Sequence, residues 1–425
     1  MEKNLILFFL IINSIICNSI ENNYNDKSFL DWGIKNNIEY LPVIEISSEN
    51  GQKKFIAKED IEPNNVILKI PYDLTFNIEK ALDLINIKEL KLQYEQFKKL
   101  DIPTYIPHHI NLQKEEIFLS YILYIIQHEL GNYNATKFYE KYNLYLSSLD
   151  YYRPKSPLFY APDQIEYLQG TYLAKFHDRI KKLFQEEIKV FKNESYYNKE
   201  IDFKEYAYNR LAIENKGLEI LGHISMIPFL NYFDRDYMKN NAEFNVLRNG
   251  DVKIVTKVKI KKGETIIVNS PKRTNVERMI FEGELNNYSA GYKENYLMPV
   301  FSPGLFYKYD IDDINLFSGY SINLVDLDFE KRAIELYKKY IKINNADEGD
   351  IWAYKILLEN INYYQDYIEK YLKKRLDKIF EDDYDRKTVE KALNGEIKIL
   401  KKASNLAFNN MEDYKNKEKK KSSDL

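Results

Sequence analysis

Two short stretches with strand character, one within residues 43–70 and one within 245–268, stand on either side of a long helical run, and this separation constrains the fold most. An isolated two-stranded ribbon is marginal in water. Strands so far apart are therefore expected to pair with each other, and the helical run becomes an excursion from one β-domain. The first stretch holds β-rich segments at Val43-Ile46, Lys54-Ala57 and Val66-Ile70, closed by Pro71 and preceded by a short helix over Phe29-Lys35. In the second, Asn245-Val246-Leu247 and Val252-Val255 flank the Gly-containing turn Arg248-Asp251, which reads as a hairpin. A further turn, Lys261-Glu264, leads into Thr265-Val268.

Between them, apolar faces in Ile117-Ile126 and Phe138-Leu149, a long charged pattern from Asp163 to Phe191, and residues 203–216 read as helices. The Ile117-Ile126 run is too short to cross a bilayer and reads as a buried helix. From about Phe329 the pattern is helical again and ends in a Lys-rich polar tail. Hydrophobic residues make up 44% of the 425-residue chain, enough for a core of its own. With 62 Lys+Arg against 65 Asp+Glu the net charge is -3, which excludes a protein built mainly to coat nucleic-acid phosphates.

The N-terminus carries a targeting pattern. Lys3 precedes the apolar run Leu5-Ile12, and small residues follow at Cys17 and Ser19, as in a secretory signal peptide over residues 1–19. The only cysteine, Cys17, lies inside it, so no disulfide framework, thiol nucleophile or Cys-based zinc site is expected in the remainder. Five histidines without an HExxH spacing also argue against a zinc hydrolase. His128 and His177 fall on polar helix faces, and His108-His109 at a loop or helix start. Sequons at Asn134, Asn193 and Asn287 suit a secretory-pathway chain with no stable membrane span after signal cleavage.

The order of motifs points further. Gly51 to Ile61, containing Ala57-Lys58-Glu59-Asp60-Ile61, is followed by Val66-Ile67-Leu68-Lys69-Ile70-Pro71. Much later come Ile227-Pro228-Phe229-Leu230-Asn231-Tyr232-Phe233-Asp234-Arg235 and Val258 to Ile266 with its Gly263-Glu264. Asn275-Val276-Glu277, Gly283 and the pair Tyr145-Leu149 and Ser156-Phe159 complete the series. In order and spacing these segments resemble the SET-domain methyltransferases of the Rubisco large-subunit lysine and actin-histidine type. The resemblance implies an α+β fold: a SET domain over residues 28–290 with a helical insertion at about 75–200, then an all-α, substrate-binding-like domain over 300–415 and a basic tail over 416–425. It also implies S-adenosylmethionine as cofactor and a protein or peptide as partner.

Members of that family hold the cofactor with a Gly-x-Gly turn, an Asn-His pair and an arginine, and position the methyl group with a tyrosine hydroxyl. Glycine lets bare backbone approach a ligand that a side chain would block, and directed polar donors hold the reacting groups. By the resemblance the cofactor-binding positions are Gly51, Arg210, Asn231, Asp234 and Arg235. The turn, the pair and the tyrosine are all altered. Gly-x-Gly becomes Gln52-Lys53-Lys54, with Gly51 recovered by sliding one residue; Asn-His becomes Asp234-Arg235; and the tyrosine position holds Asn269 or Ser270. Arg210 has a second reading as an i,i+4 partner of Glu214. The expectation is a SET scaffold with degenerate catalytic positions. The alternatives are a pseudoenzyme that binds a polypeptide through the cleft and helical domain, and a mostly helical structural protein without a β-domain.

Overall fold

The computed structural model describes residues 26–49, 52–85, 87–100, 102, 110–129, 141–142, 144–146, 148–149, 154–168, 171–193, 200–236, 239–269, 275–283, 296–297, 322–323, 355, 358–359, 361–362 and 365–423. Residues 1–19, read above as a signal peptide, and Gly51, His108, His109, Asn134, Ser270 and Asn287 lie outside the described residues. The chain divides into two units, residues 1–154 with 182–271, and residues 155–181 with 272–425.

In the first unit the N-terminal strands are β1 (Glu39–Tyr40), β2 (Ile44–Glu49), β3 (Gln52–Ala57), β4 (Val66–Ile70) and β5 (Phe76–Asn77). The later ones are β6 (Gly217–Ile220), β7 (His223–Met226), β8 (Asp234–Arg235), β9 (Ala242–Val246), β10 (Val252–Thr256) and β11 (Ile267–Val268). As the sequence pattern requires, the two sets pair: β10 lies antiparallel to β4, with Val252 opposite Ile70, and β5 lies antiparallel to β7. The larger sheet runs β1-β4-β10-β9-β11-β8. There β11 slots between β9 and β8, parallel to both, so a strand late in the chain inserts between two earlier ones. This pairing with the N-terminal strands rules out the β-less helical reading.

Local chemistry explains the strand ends. β10 alternates strictly, burying Val252, Ile254 and Thr256, as a strand with one face on a core must. The β9–β10 turn needs glycine at Gly250: its φ is 86°, and a Cβ there would sit 2.7 Å from the Tyr72 ring. Asp251 then anchors the turn by accepting from the Tyr72 N–H at 2.9 Å.

The helix Ile110–Glu129 buries every residue from Ile117 to Ile126, the behaviour of a helix apolar all round. No helix among the described residues is long and apolar enough to cross a membrane. The helix Phe203–Lys216 starts where the Asp202 carboxylate accepts from the Glu205 N–H at 2.9 Å, an N-cap that satisfies one of the otherwise orphaned donors.

The segment that carries the candidate site is set by aromatic packing. Phe229 occupies the left-handed region at φ 67°, uncommon for a bulky side chain. Its ring stacks on Phe29 at 4.2 Å. Gly33 makes room for it, since a Cβ there would lie 2.8 Å from two Phe229 ring atoms. This reversal delivers the 3-10 turn Leu230–Tyr232 and then β8.

In the second unit the charged pattern from Asp163 is not one helix. It divides into Pro162–Tyr167 and a helix that begins at Tyr172 and runs on into the first unit. The Thr171 hydroxyl donates to the Leu168 carbonyl at 2.7 Å and accepts from the Ala174 N–H at 3.1 Å, closing one helix and opening the next. His177 is buried, contrary to the polar-face reading, because it stands one turn from both Leu173 and Ile180 on the apolar stripe. The helix Asn275–Glu282 stops at Gly283, whose φ of 72° and N–H bonds to Arg278 and Met279 carbonyls form a C-terminal cap. A two-residue antiparallel pair, Tyr296–Leu297 with Ile322–Asn323, precedes the C-terminal helices. The last of these spans Asp383–Ser423.

Candidate functional site

The residues singled out from the sequence fall in three environments of the first unit. Asn231 sits on the 3-10 turn after Phe229 and is buried. Its amide donates to the Ser148 hydroxyl at 3.2 Å, while its Oδ1 is buried with no hydrogen-bond donor from the protein. The hydroxyl of Tyr145, one turn earlier on the same helical segment as Ser148, is likewise buried without a partner, and burial pushes its ionisation far up.

Asp234 and Arg235 form β8, in parallel register with Ile267 and Val268. Successive strand residues face opposite sides, so the two side chains part. The Arg235 guanidinium donates to the Asn215 carbonyl and lies over the Phe244 ring, 5.5 Å from its centroid. Asp234 instead meets Lys54, Oδ2 to Nζ at 2.9 Å. The resemblance would have a glycine at Lys54 and an asparagine at Asp234, and the fold brings the two residues together.

Arg210 lies elsewhere, on the helix Phe203–Lys216, and its side chain is 5% exposed. Three carboxylates turn to its guanidinium: Glu116 at 3.2 Å, Glu214 at 3.4 Å and Glu187 at 3.7 Å. Glu187, itself 1% exposed, accepts from the Tyr206 hydroxyl at 2.9 Å, and its other oxygen has no donor. Burial drives the Glu187 carboxyl above the ordinary range; the Arg210 charge and the Tyr206 hydroxyl offset this only in part. For Arg210 burial pulls the other way and the surrounding carboxylates outweigh it, so the guanidinium is held charged.

Asn269 follows β11 and is exposed, and its Oδ1 accepts from the Phe244 N–H at 3.3 Å. It therefore ties the end of β11 to β9 and brings no phenol. Among the described residues no group of three His, Asp or Glu side chains is placed to hold a metal ion.

Sequence reading took Lys54 only as a lost glycine and missed Glu116, Glu187, Tyr206 and Ser148. Of the Arg210 cage, only Glu214 is announced by spacing, at i+4 on the same helix.

The described donor set does not fit S-adenosylmethionine in the manner the resemblance implies. The Arg210 charge is enclosed by the protein's own acids, the Arg235 guanidinium serves a backbone carbonyl, and Asp234 is taken by an internal ammonium.

No protein-family model matches the sequence, and no curated protein does. Solved structures do. The SET domain of LSMT bound to lysine and AdoHcy aligns with a TM-score of 0.60 at 12% identity, over 91% of this chain and 92% of that one. Rubisco LSMT bound to AdoMet aligns with a TM-score of 0.61 at the same identity and coverage. The fold of this chain is therefore the SET fold, mixed α and β with C-terminal helices.

Proposed function

We propose that this chain is a methyltransferase-like SET protein of the secretory pathway in which methyl transfer is lost and the scaffold is kept to hold a protein or peptide partner. The observation that carries the reading is Arg210. The resemblance assigns this residue to the cofactor, yet its guanidinium is 5% exposed and surrounded by Glu116, Glu187 and Glu214. Acids of the chain itself thus already meet this charge where the resemblance implies a cofactor carboxylate. Asn269 or Ser270 in place of a phenol agrees, since the loss of one placed transition-state donor costs an enzyme about a hundredfold or more in rate. The secretory assignment rests on Lys3 and the apolar run Leu5-Ile12.

A second reading, a working protein N-methyltransferase, is favoured by the fold likeness to structures described as bound to AdoMet or AdoHcy. Titration calorimetry of the purified protein with S-adenosylmethionine separates the two. The expected result is no heat of binding at millimolar cofactor and no labelled methyl group on co-purified proteins. Binding together with transfer of label would overturn the proposal. N-terminal sequencing of the chain secreted from a eukaryotic host is expected to begin near residue 20; retention of residues 1–19 would remove the secretory part.

A further inference from the structure

Two buried polar atoms of the first unit, the Tyr145 hydroxyl and Asn231 Oδ1, have no hydrogen-bond partner among the described residues, and they belong to segments that touch. Tyr145 and Ser148 stand three residues apart on one helical segment and share a face. They are 1% and 0% exposed. The turn Leu230–Tyr232 meets that face: the Asn231 amide donates to the Ser148 hydroxyl at 3.2 Å and approaches its carbonyl at 3.5 Å. The single Ser148 hydroxyl proton goes to the Tyr145 carbonyl at 2.6 Å, so Ser148 has none to return to Asn231 Oδ1. That oxygen, on a side chain 4% exposed, lacks a donor. The Tyr145 hydroxyl lacks both donor and acceptor. The charge of Arg235, four residues beyond Asn231, acts on this phenol, which sets the hydroxyl on the side of the same segment. Buried polar groups are almost always hydrogen-bonded, and these two deficits, arising at one contact between segments, are complementary.

We propose that Tyr145, Ser148 and Asn231 enclose a binding site for one internal water molecule, which donates to Asn231 Oδ1 and accepts from the Tyr145 hydroxyl. A bridging group there must carry both a donor and an acceptor and be small enough to reach side chains that are almost fully buried. Water meets both conditions, and a bridge through it is nearly as favourable as a direct bond. A larger hydroxyl-bearing solute offers the same chemistry only by parting the two segments. The water would join the helical segment around Tyr145 to the turn that leads into β8, and it holds whether or not the chain transfers methyl groups.

The test is a double-mutant cycle on the full-length protein, read from urea midpoints, together with a crystal structure of the wild type. Removing a hydroxyl that has no partner would raise the midpoint. Removing one that holds a bridging water lowers it, and Tyr145→Phe is expected to fold with an equilibrium constant about two- to tenfold smaller than wild type. In an Asn231→Ala background the same change is expected to have a smaller effect, because the water has already lost its other anchor. The crystal structure is expected to show one water within hydrogen-bond distance of both atoms. If Asn231→Ala does not fold, Tyr145→Phe and the crystal structure decide together. An unchanged or raised midpoint for Tyr145→Phe, an equal effect in both backgrounds, or the two side chains found in direct contact would overturn the inference. Density too large for water would overturn it in favour of a hydroxyl-bearing solute.

Discussion

Replacing Arg210 with methionine removes the cation to which Glu116, Glu187 and Glu214 turn, while keeping an unbranched stem of similar length. Breaking a buried ion pair by deleting one partner costs about 3–5 kcal/mol, because the remaining charge stays desolvated. The upper half of that range is expected here, since Glu187 is 1% exposed and has an oxygen without a donor even in the intact protein. For a unit of this size each kcal/mol shifts the melting temperature by about 2–4 °C, so Arg210→Met is expected to melt about 8–20 °C below wild type. Urea unfolding followed by circular dichroism at pH 7.5 and pH 5 is the assay. Without the guanidinium the Glu187 carboxyl ionises less readily in the folded protein, so acidification protonates it and returns part of the loss. A variant within about 1 kcal/mol of wild type at pH 7.5, or one whose deficit is the same at both pH values, would refute the cage as the site of that charge.

Three further outcomes follow from the same geometry. The folded-state pKa of Glu187 is raised, so its ionisation favours unfolding: its contribution is fullest below the ordinary carboxyl range and is lost as pH rises through the folded value. Glu187→Gln is therefore expected to gain on wild type as pH rises and to match it in acid, read from urea midpoints across pH; a difference independent of pH would contradict the assignment. Gly33→Ala gains about 1 kcal/mol of helix preference but drives a methyl to 2.8 Å from the packed Phe229 ring, an overpacking of about 1–3 kcal/mol. A net loss of about 0–2 kcal/mol in chemical denaturation is expected, and a stabilised variant would show that Phe229 yields. Gly250→Ala meets both a φ of 86° and the Tyr72 ring at 2.7 Å; a loss of about 2–5 kcal/mol is expected in the same assay, and a loss below about 1 kcal/mol would mean that the β9–β10 turn has moved.

Much of the fold is legible along the chain wherever local patterns decide. β4 is found at Val66–Ile70 and the helix Phe203–Lys216 where its apolar spacing lies, with Asp202 as its cap. The hairpin around Gly250 is announced by its turn residues. The break between Pro162–Tyr167 and the helix from Tyr172 is announced by Gly170-Thr171, a poor helix former followed by a capping residue, but the charged pattern on either side hides it, and only the structure shows the Thr171 hydroxyl bonding in both directions. The candidate site shows the same division. Motif order brings Asn231, Asp234 and Arg235 to notice, but not which way each side chain turns.

From sequence alone came two β-segments on either side of a helical excursion, a single cysteine at Cys17, and the residues that stand where the resemblance would have glycine, histidine and tyrosine. These are properties of residue type and spacing, and such signals reach only a few residues along a chain. Tertiary structure alone decided what those residues meet. Arg210 is enclosed by acids contributed by three helices. Lys54 and Asp234, 180 residues apart, stand 2.9 Å from each other because β3 and β8 dock on the same short segment. Electrostatic partners are chosen by distance in space, and that distance exists only once the strands have closed around β11.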